Sequence, residues 1–135
     1  MAYAVEQTKL SLIAETTFAK TDLYKFVQIS TANGRVSIVA TTAPTAIVGT
    51  LLSQTYSTST GANETVTVGS IVDGIGKVYM AASTNHVGSP VACSSLGFGI
   101  APTTNSVRLG YIVEGTSGTT GTIASVLFVR PTLNL

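Results

Sequence analysis

Residues 26–40 read FVQISTANGRVSIVA, two runs rich in Val and Ile on either side of Asn33-Gly34. Asn-Gly tolerates the positive φ angles of a two-residue type I′ turn better than almost any other dipeptide, so the stretch reads as a β-hairpin. With Ala32 and Arg35 flanking the turn, Val27 opposes Ala40, Ile29 opposes Ile38 and Thr31 opposes Val36. All six then share one face, and turn chemistry and the period-2 pattern point to the same register.

A second hairpin is expected from Val107–Glu114 and from Thr122 to Arg130, joined by a loop with glycines at 115, 118 and 121. In its first strand Val107, Leu109, Tyr111 and Val113 alternate with Arg108, Gly110, Ile112 and Glu114, which predicts that the first four form a buried face. Its second strand contains ASVLFV (124–129), apolar on both faces, as in a strand covered on both sides, either inside a sandwich or under a neighbouring subunit. Between the hairpins, shorter strands are expected near 48–54, 64–72, 77–82, 90–93 and 97–100, and no segment repeats apolar residues at helical spacing. The fold class is therefore all-β: a single compact sandwich or barrel-like domain over 25–135, preceded by an extended arm over 1–24. Within the arm, Thr16 to Lys25 leaves room for one short helical turn capped by Thr21 or Asp22, while the Thr-rich flanks favour an extended strand donor to another chain. The polar run TYSTSTGAN (55–63) has no periodicity and reads as an exposed loop.

Composition narrows the function. Charged residues make up 10% of the 135-residue chain, against roughly 25% in an average soluble domain, and the mean hydropathy is +0.43. A surface so poor in ionised groups suits a protein covered by neighbours. The run 124–129 is far shorter than the ~20 residues that span a bilayer, so no membrane partner is expected. A net charge of +1 spread over seven basic and six acidic residues offers no concentrated basic face, so nucleic acid is not expected either. The N-terminus lacks the basic region and apolar core of a signal peptide, so synthesis in a cytosol is expected.

Candidates for chemistry are few: one His, one Cys and scattered carboxylates. His86 in STNHVGSP reads as a loop residue and Cys93 as a small buried hydrophobe, with no partners at metal-ligand spacing. A triad of Ser95, His86 and Asp73, or a carboxylate pair of Asp73 and Glu114, can be assembled on paper, but the context of neither motif is present. The glycines match no phosphate-binding pattern. No catalytic residue, metal or cofactor is expected.

From 26 to 131 the chain resembles the small cement proteins that decorate the heads of tailed phages. The resemblance lies in the order of VGTLLSQ (48–54), ETVTVGSIVDGIGKVYMAAS (64–83), VGSPVACSSLGFGIAP (87–102) and VRLGYIVEGTSGTTGTIASVLFVRP (107–131). The chain departs from that family in being Thr-rich, nearly neutral and longer before its first hairpin. The resemblance implies a structural protein on the outer surface of a capsid, bound to the major capsid protein and to copies of itself. A homotrimer is expected, with a dimer as the other possibility. Capsid contact is assigned to the arm, through Tyr3, Val5, Leu10, Leu12, Ile13 and Phe18, and self-association to Val126, Leu127, Phe128 and Val129. On this assignment, removing residues 2–18 leaves a folded oligomer that no longer binds capsid. The alternative is a head-fibre or tail-associated module that binds glycans through loops such as 55–63; a small hydrolase using His86 is the remaining rival.

Overall fold

The first hairpin forms, two residues out of the expected register. The computed structural model describes residues 7–30, 33–42, 44, 46–57, 61–81, 86–115 and 121–133. In it β2 (Phe26–Ile29) and β3 (Val36–Ile38) pair antiparallel, with Val27 opposite Ile38 and Ile29 opposite Val36. Ser30 N–H donates to Arg35 O at 2.7 Å and Gly34 N–H to Ser30 O at 2.9 Å, so the connection is longer than two residues. Gly34 has a φ of 70°, but Asn33 does not join it in the left-handed region. Asn33 Oδ1 instead accepts Arg35 N–H at 3.0 Å, the side-chain-to-backbone bond by which Asn builds other turns. A slip of two residues preserves the face, so Val27, Ile29, Val36 and Ile38 still pack together.

Three further strands, β1 (Lys9–Ile13), β4 (Ile47–Leu51) and β5 (Thr65–Ser70), complete a five-stranded sheet in the order β1-β5-β4-β2-β3. This sheet curls until its two edges touch: Ala14, just past β1, forms a parallel bridge with Val36 of β3, and Glu15 N–H donates to Val36 O at 2.9 Å. Curling protects edges that would otherwise invite pairing with another chain. It encloses one core built on Phe18, Val27, Leu51, Val66 and Val68. The second half, β6 (Ile75–Met80), β7 (Pro90–Cys93), β8 (Gly99–Ile100), β9 (Val107–Glu114) and β10 (Thr122–Leu133), forms a closed barrel in the order β10-β6-β8-β7-β9. Its core contains Met80, Val91, Leu109, Ile112, Val126 and Phe128, and Phe26 from the first sheet joins it. The all-β expectation therefore holds, as a curled sheet beside a barrel.

Two packing expectations are corrected by irregularities in strand pairing. In β9, Leu109 and Ile112 are buried while Tyr111 is exposed, so the expected face of Val107, Leu109, Tyr111 and Val113 is broken. The register of β9 shifts against β10 between Phe128 and Thr132 and against β7 between Val91 and Ala92, which places Leu109 at the irregularity. A bulge reverses the facing of everything beyond it, so two core residues come to lie three apart. The 55–63 loop is corrected in part. Tyr56 is almost fully exposed, but Thr55 is fully buried and its N–H donates to Phe18 O at 3.1 Å.

The segment expected to reach outward is folded in over residues 9–18. β1 pairs with β5 from Lys9↔Gly69 to Ile13↔Thr65, and Phe18 is fully buried in the core of its own sheet. The one helical turn (Lys20–Asp22) does form, and Asp22 Oδ2 accepts Ala19 N–H at 2.9 Å. An amphipathic run with leucines at 10 and 12 looks the same in sequence whether its strand partner is intramolecular or not, and only tertiary pairing distinguishes the two cases.

Candidate functional site

With little chemistry to gather, the surfaces that carry information are the outer wall of the barrel and the seam between the two sheets. Along β10, Ala124, Val126 and Phe128 point into the barrel core, while Ile123 and Leu127 point outward at 37% and 40% exposure. The expected self-association set therefore divides: Val126 and Phe128 are core residues, Leu127 is exposed and Val129 is half-buried. The strand is apolar on both faces, but its outer face meets solvent. Leu127 lies opposite Ile75 of β6 on one side and Tyr111 of β9 on the other, and Tyr111 lies opposite Pro90 of β7. The result is an apolar row, Ile75, Leu127, Tyr111 and Pro90, crossing four strands of the barrel wall. On the same face the polar pair Lys77 and Ser125 separates this row from a second apolar pair, Ile123 and Tyr79. A contiguous apolar row rimmed by Lys77 and Ser125 is a candidate contact surface, unlike Tyr56, Val72, Val87 and Leu96, which project singly from turns and loops.

Of the residues assigned to capsid contact, Tyr3 and Val5 lie outside the described residues. Leu10 and Leu12 oppose Val68 and Val66 on the inward face of β1 and are half-buried, and Phe18 is buried. Ile13, 47% exposed, shares the outward face with Lys9 and Ser11. The four described residues do not form one surface, since Phe18 is buried and Leu10 and Leu12 lie on the face of β1 opposite to Ile13.

The seam carries a groove of about 480 Å³. Lys9 of β1 and Gly76 and Lys77 of β6 line it together with Gln7 and Tyr24, and Leu52 and Ile75 supply apolar surface. Tyr24 has a φ of 69°, a left-handed conformation that costs a bulky side chain about 1–3 kcal/mol. Two backbone bonds hold it there: Tyr24 N–H donates to Leu51 O at 2.8 Å and Tyr79 N–H donates to Tyr24 O at 2.9 Å, tying both sheets to one residue. Lys77 Nζ lies 5.8 Å from the centre of the Tyr24 ring, a contact worth about 0.5–1 kcal/mol at an exposed position. Lys25, by contrast, is engaged from two sides. Its Nζ is 2.9 Å from Asp22 Oδ1 and lies over the Tyr79 and Phe98 rings at 5.5 and 5.3 Å.

The same architecture occurs in a phage head-fibre base. The solved structure of the head fibre gp8.5 N base of bacteriophage phi29 superposes with a TM-score of 0.58 at 16% identity, covering 96% of this chain and 99% of that one. No protein-family profile matches the sequence, and no curated protein does. The likeness to the head-fibre base thus lies in the fold, across nearly the whole of both chains.

The residues weighed for catalysis sit on separate turns and strands. His86 is exposed in a turn where its backbone N–H lies 3.2 Å from Ser89 Oγ, and Ser95 is exposed on another turn. Cys93 is buried, with Sγ 3.5 Å from the carbonyls of Thr41 and Ser94, and desolvation pushes its thiol up to about 12. Among the described residues, no three His, Cys, Asp or Glu side chains gather as metal ligands.

Asp73 has a structural partner: its Oδ2 accepts Thr8 O–H at 2.6 Å and its Oδ1 accepts Thr8 N–H at 3.2 Å. These two donors lower its pKa from the ordinary 3.8. A lowered folded value means that the clasp contributes stability above the unfolded value and loses it as pH falls through the folded one. Protection factors at Thr8 and Ser70, that is, exchange rates relative to the intrinsic rate at each pH, are expected to fall on acidification from about pH 5 to 2. In Asp73→Asn protection should be low throughout, and protection profiles identical in the two proteins would show that the clasp contributes nothing. Neither the row nor the groove was legible in the sequence. Each depends on register between strands far apart in the chain.

Proposed function

We propose that the chain is a structural protein of a phage head, standing on the outer surface of the capsid and held there by protein contact without catalysis. The observation that carries this reading is the likeness to a head-fibre base over almost the full length of both chains. The low charge and the apolar row of Ile75, Leu127, Tyr111 and Pro90, exposed at Leu127 and Tyr111, support it, since both suit a protein whose surface is shared with neighbours. Of the two head roles, the base of a head fibre has better support than lattice cement, because the solved protein of similar fold is such a base. The partners proposed are the major capsid protein and other copies of this chain. A homotrimer closing the barrel-wall row against itself is the assembly proposed, with a dimer as the alternative.

The test is to mix purified protein with heads that lack it and to sediment them. Binding is expected to saturate at a fixed stoichiometry. Quantitative mass spectrometry of intact particles should then separate the two roles, because cement on every lattice junction requires far more copies than fibre bases do. Failure to sediment with heads from any permissive phage background would overturn the reading. The double variant Tyr111→Lys with Leu127→Lys is expected to sediment as a monomer with unchanged circular dichroism. An oligomer of unchanged size would remove the row from the interface.

A further inference from the structure

The groove at the seam shares Ile75 with the barrel-wall row and is otherwise lined by residues outside it. Lys9 and Lys77 line it from different strands, and among the described residues neither has a carboxylate within ion-pair distance. Asp73, on the turn before β6, is occupied by Thr8. Lys77 is held only loosely over the Tyr24 ring at 5.8 Å, so an anion could draw it away at little cost and uncover that ring. The volume of about 480 Å³ falls within the roughly 300–1,000 Å³ of small-molecule sites and exceeds what a bare phosphate fills. Leu52, Ile75 and the Tyr24 ring offer the apolar and aromatic surface that the C–H face of a pyranose packs on.

Gln7 adds a polar group held in place by the fold. Its Nε2 donates to Ser70 O at 3.0 Å, and its amide lies against Gly69 and Gly76, where any Cβ would overlap it. Two strands thus keep bare backbone under one amide. Its Oε1 accepts no hydrogen bond among the described residues and can take one from a sugar hydroxyl.

We propose that this groove binds an acidic saccharide, its carboxylate or phosphate between Lys9 and Lys77 and its ring on Tyr24. The site lies on the seam and not in the 55–63 loop.

Trigalacturonate is a suitable probe, titrated into the full chain and followed by amide chemical shifts and calorimetry. Shifts are expected to centre on Tyr24, Gly76 and Lys77. Galactotriose, which has similar rings and no charge, should bind about tenfold more weakly or worse, and so should trigalacturonate to the Lys9→Gln, Lys77→Gln double variant. Both lysines are exposed, so the double variant is expected to fold. Because Lys77 borders the barrel-wall row, the Lys9→Gln single variant, on β1 away from that row, is the one expected to sediment with heads as the parent does. Three results would overturn the proposal: no binding of trigalacturonate up to about 10 mM, equal binding by triglutamate or inorganic phosphate, or unchanged affinity in the double variant. The first or third, with head binding intact, would leave the structural role standing.

Discussion

Phe18→Ala is expected to destabilise the protein by about 3–5 kcal/mol, a large share of the roughly 5–15 kcal/mol that separates a domain from its unfolded state. The ring is fully buried among Ala14, Val27, Leu51, Val66 and Val68. Its backbone is clamped as well: Phe18 N–H donates to Thr55 Oγ1 and Thr55 N–H donates to Phe18 O, both at 3.1 Å. The sheet around it is closed by the Ala14–Val36 bridge, so the walls have little freedom to collapse into the space left by the ring. Urea denaturation measures the effect as a lower midpoint at constant slope. A midpoint within experimental error of the parent would mean that Phe18 is not the centre of that core. Removing residues 2–18 should be worse. It strips β1 from β5 along five paired positions and exposes a bare sheet edge. Aggregated or unfolded protein is expected from that truncation, in place of the folded oligomer that an outreaching arm implied.

Gly49→Ala is expected to cost about 3 kcal/mol or more, although it adds a single methyl. A Cβ at Gly49 overlaps the carbonyl of Gly69 on the neighbouring strand and crowds the Val68 side chain. A backbone oxygen in a paired sheet cannot change rotamer to escape, so β4 and β5 must separate. The close approach has a cause in the register: β2 pairs with β4 at Thr50 and Gly49 and then shifts before Ile47, leaving a bulge at Val48. Bulges tighten local twist and bring backbones together where only glycine fits. Gly34, which has open space around it, provides the control. Its substitution should act through the positive φ alone and cost about 1 kcal/mol. If thermal melts show the two variants equally stable, the crowding at Gly49 is not real.

The sequence showed where strands lie far better than how they meet. The expected strand at 90–93 and the one at 107–114 match β7 and β9 residue for residue, and the helical turn falls inside 16–25. Period-2 alternation and turn residues are local signals, and these elements are local. The candidate surfaces were not legible in the same way. The row joins residues 75, 90, 111 and 127, and the groove joins residues 7, 9, 24, 52, 75, 76 and 77, sets whose proximity is a matter of pairing order. The hairpin at Asn33-Gly34 and the bulge at Leu109 show the same limit at short range. A side-chain bond from Asn33 moved one register by two residues, and an irregular pairing reversed the facing of one strand.

By itself, the amino-acid order determined an all-β chain with scarce charge, because alternation, turn propensity and composition are written residue by residue. Which leucines are core and which are surface, that residues 9–18 fold inward, and that two lysines come to share a groove were decided only by the tertiary structure. Strand partners are chosen by the free energy of closing two β cores at once, and that quantity belongs to the whole chain.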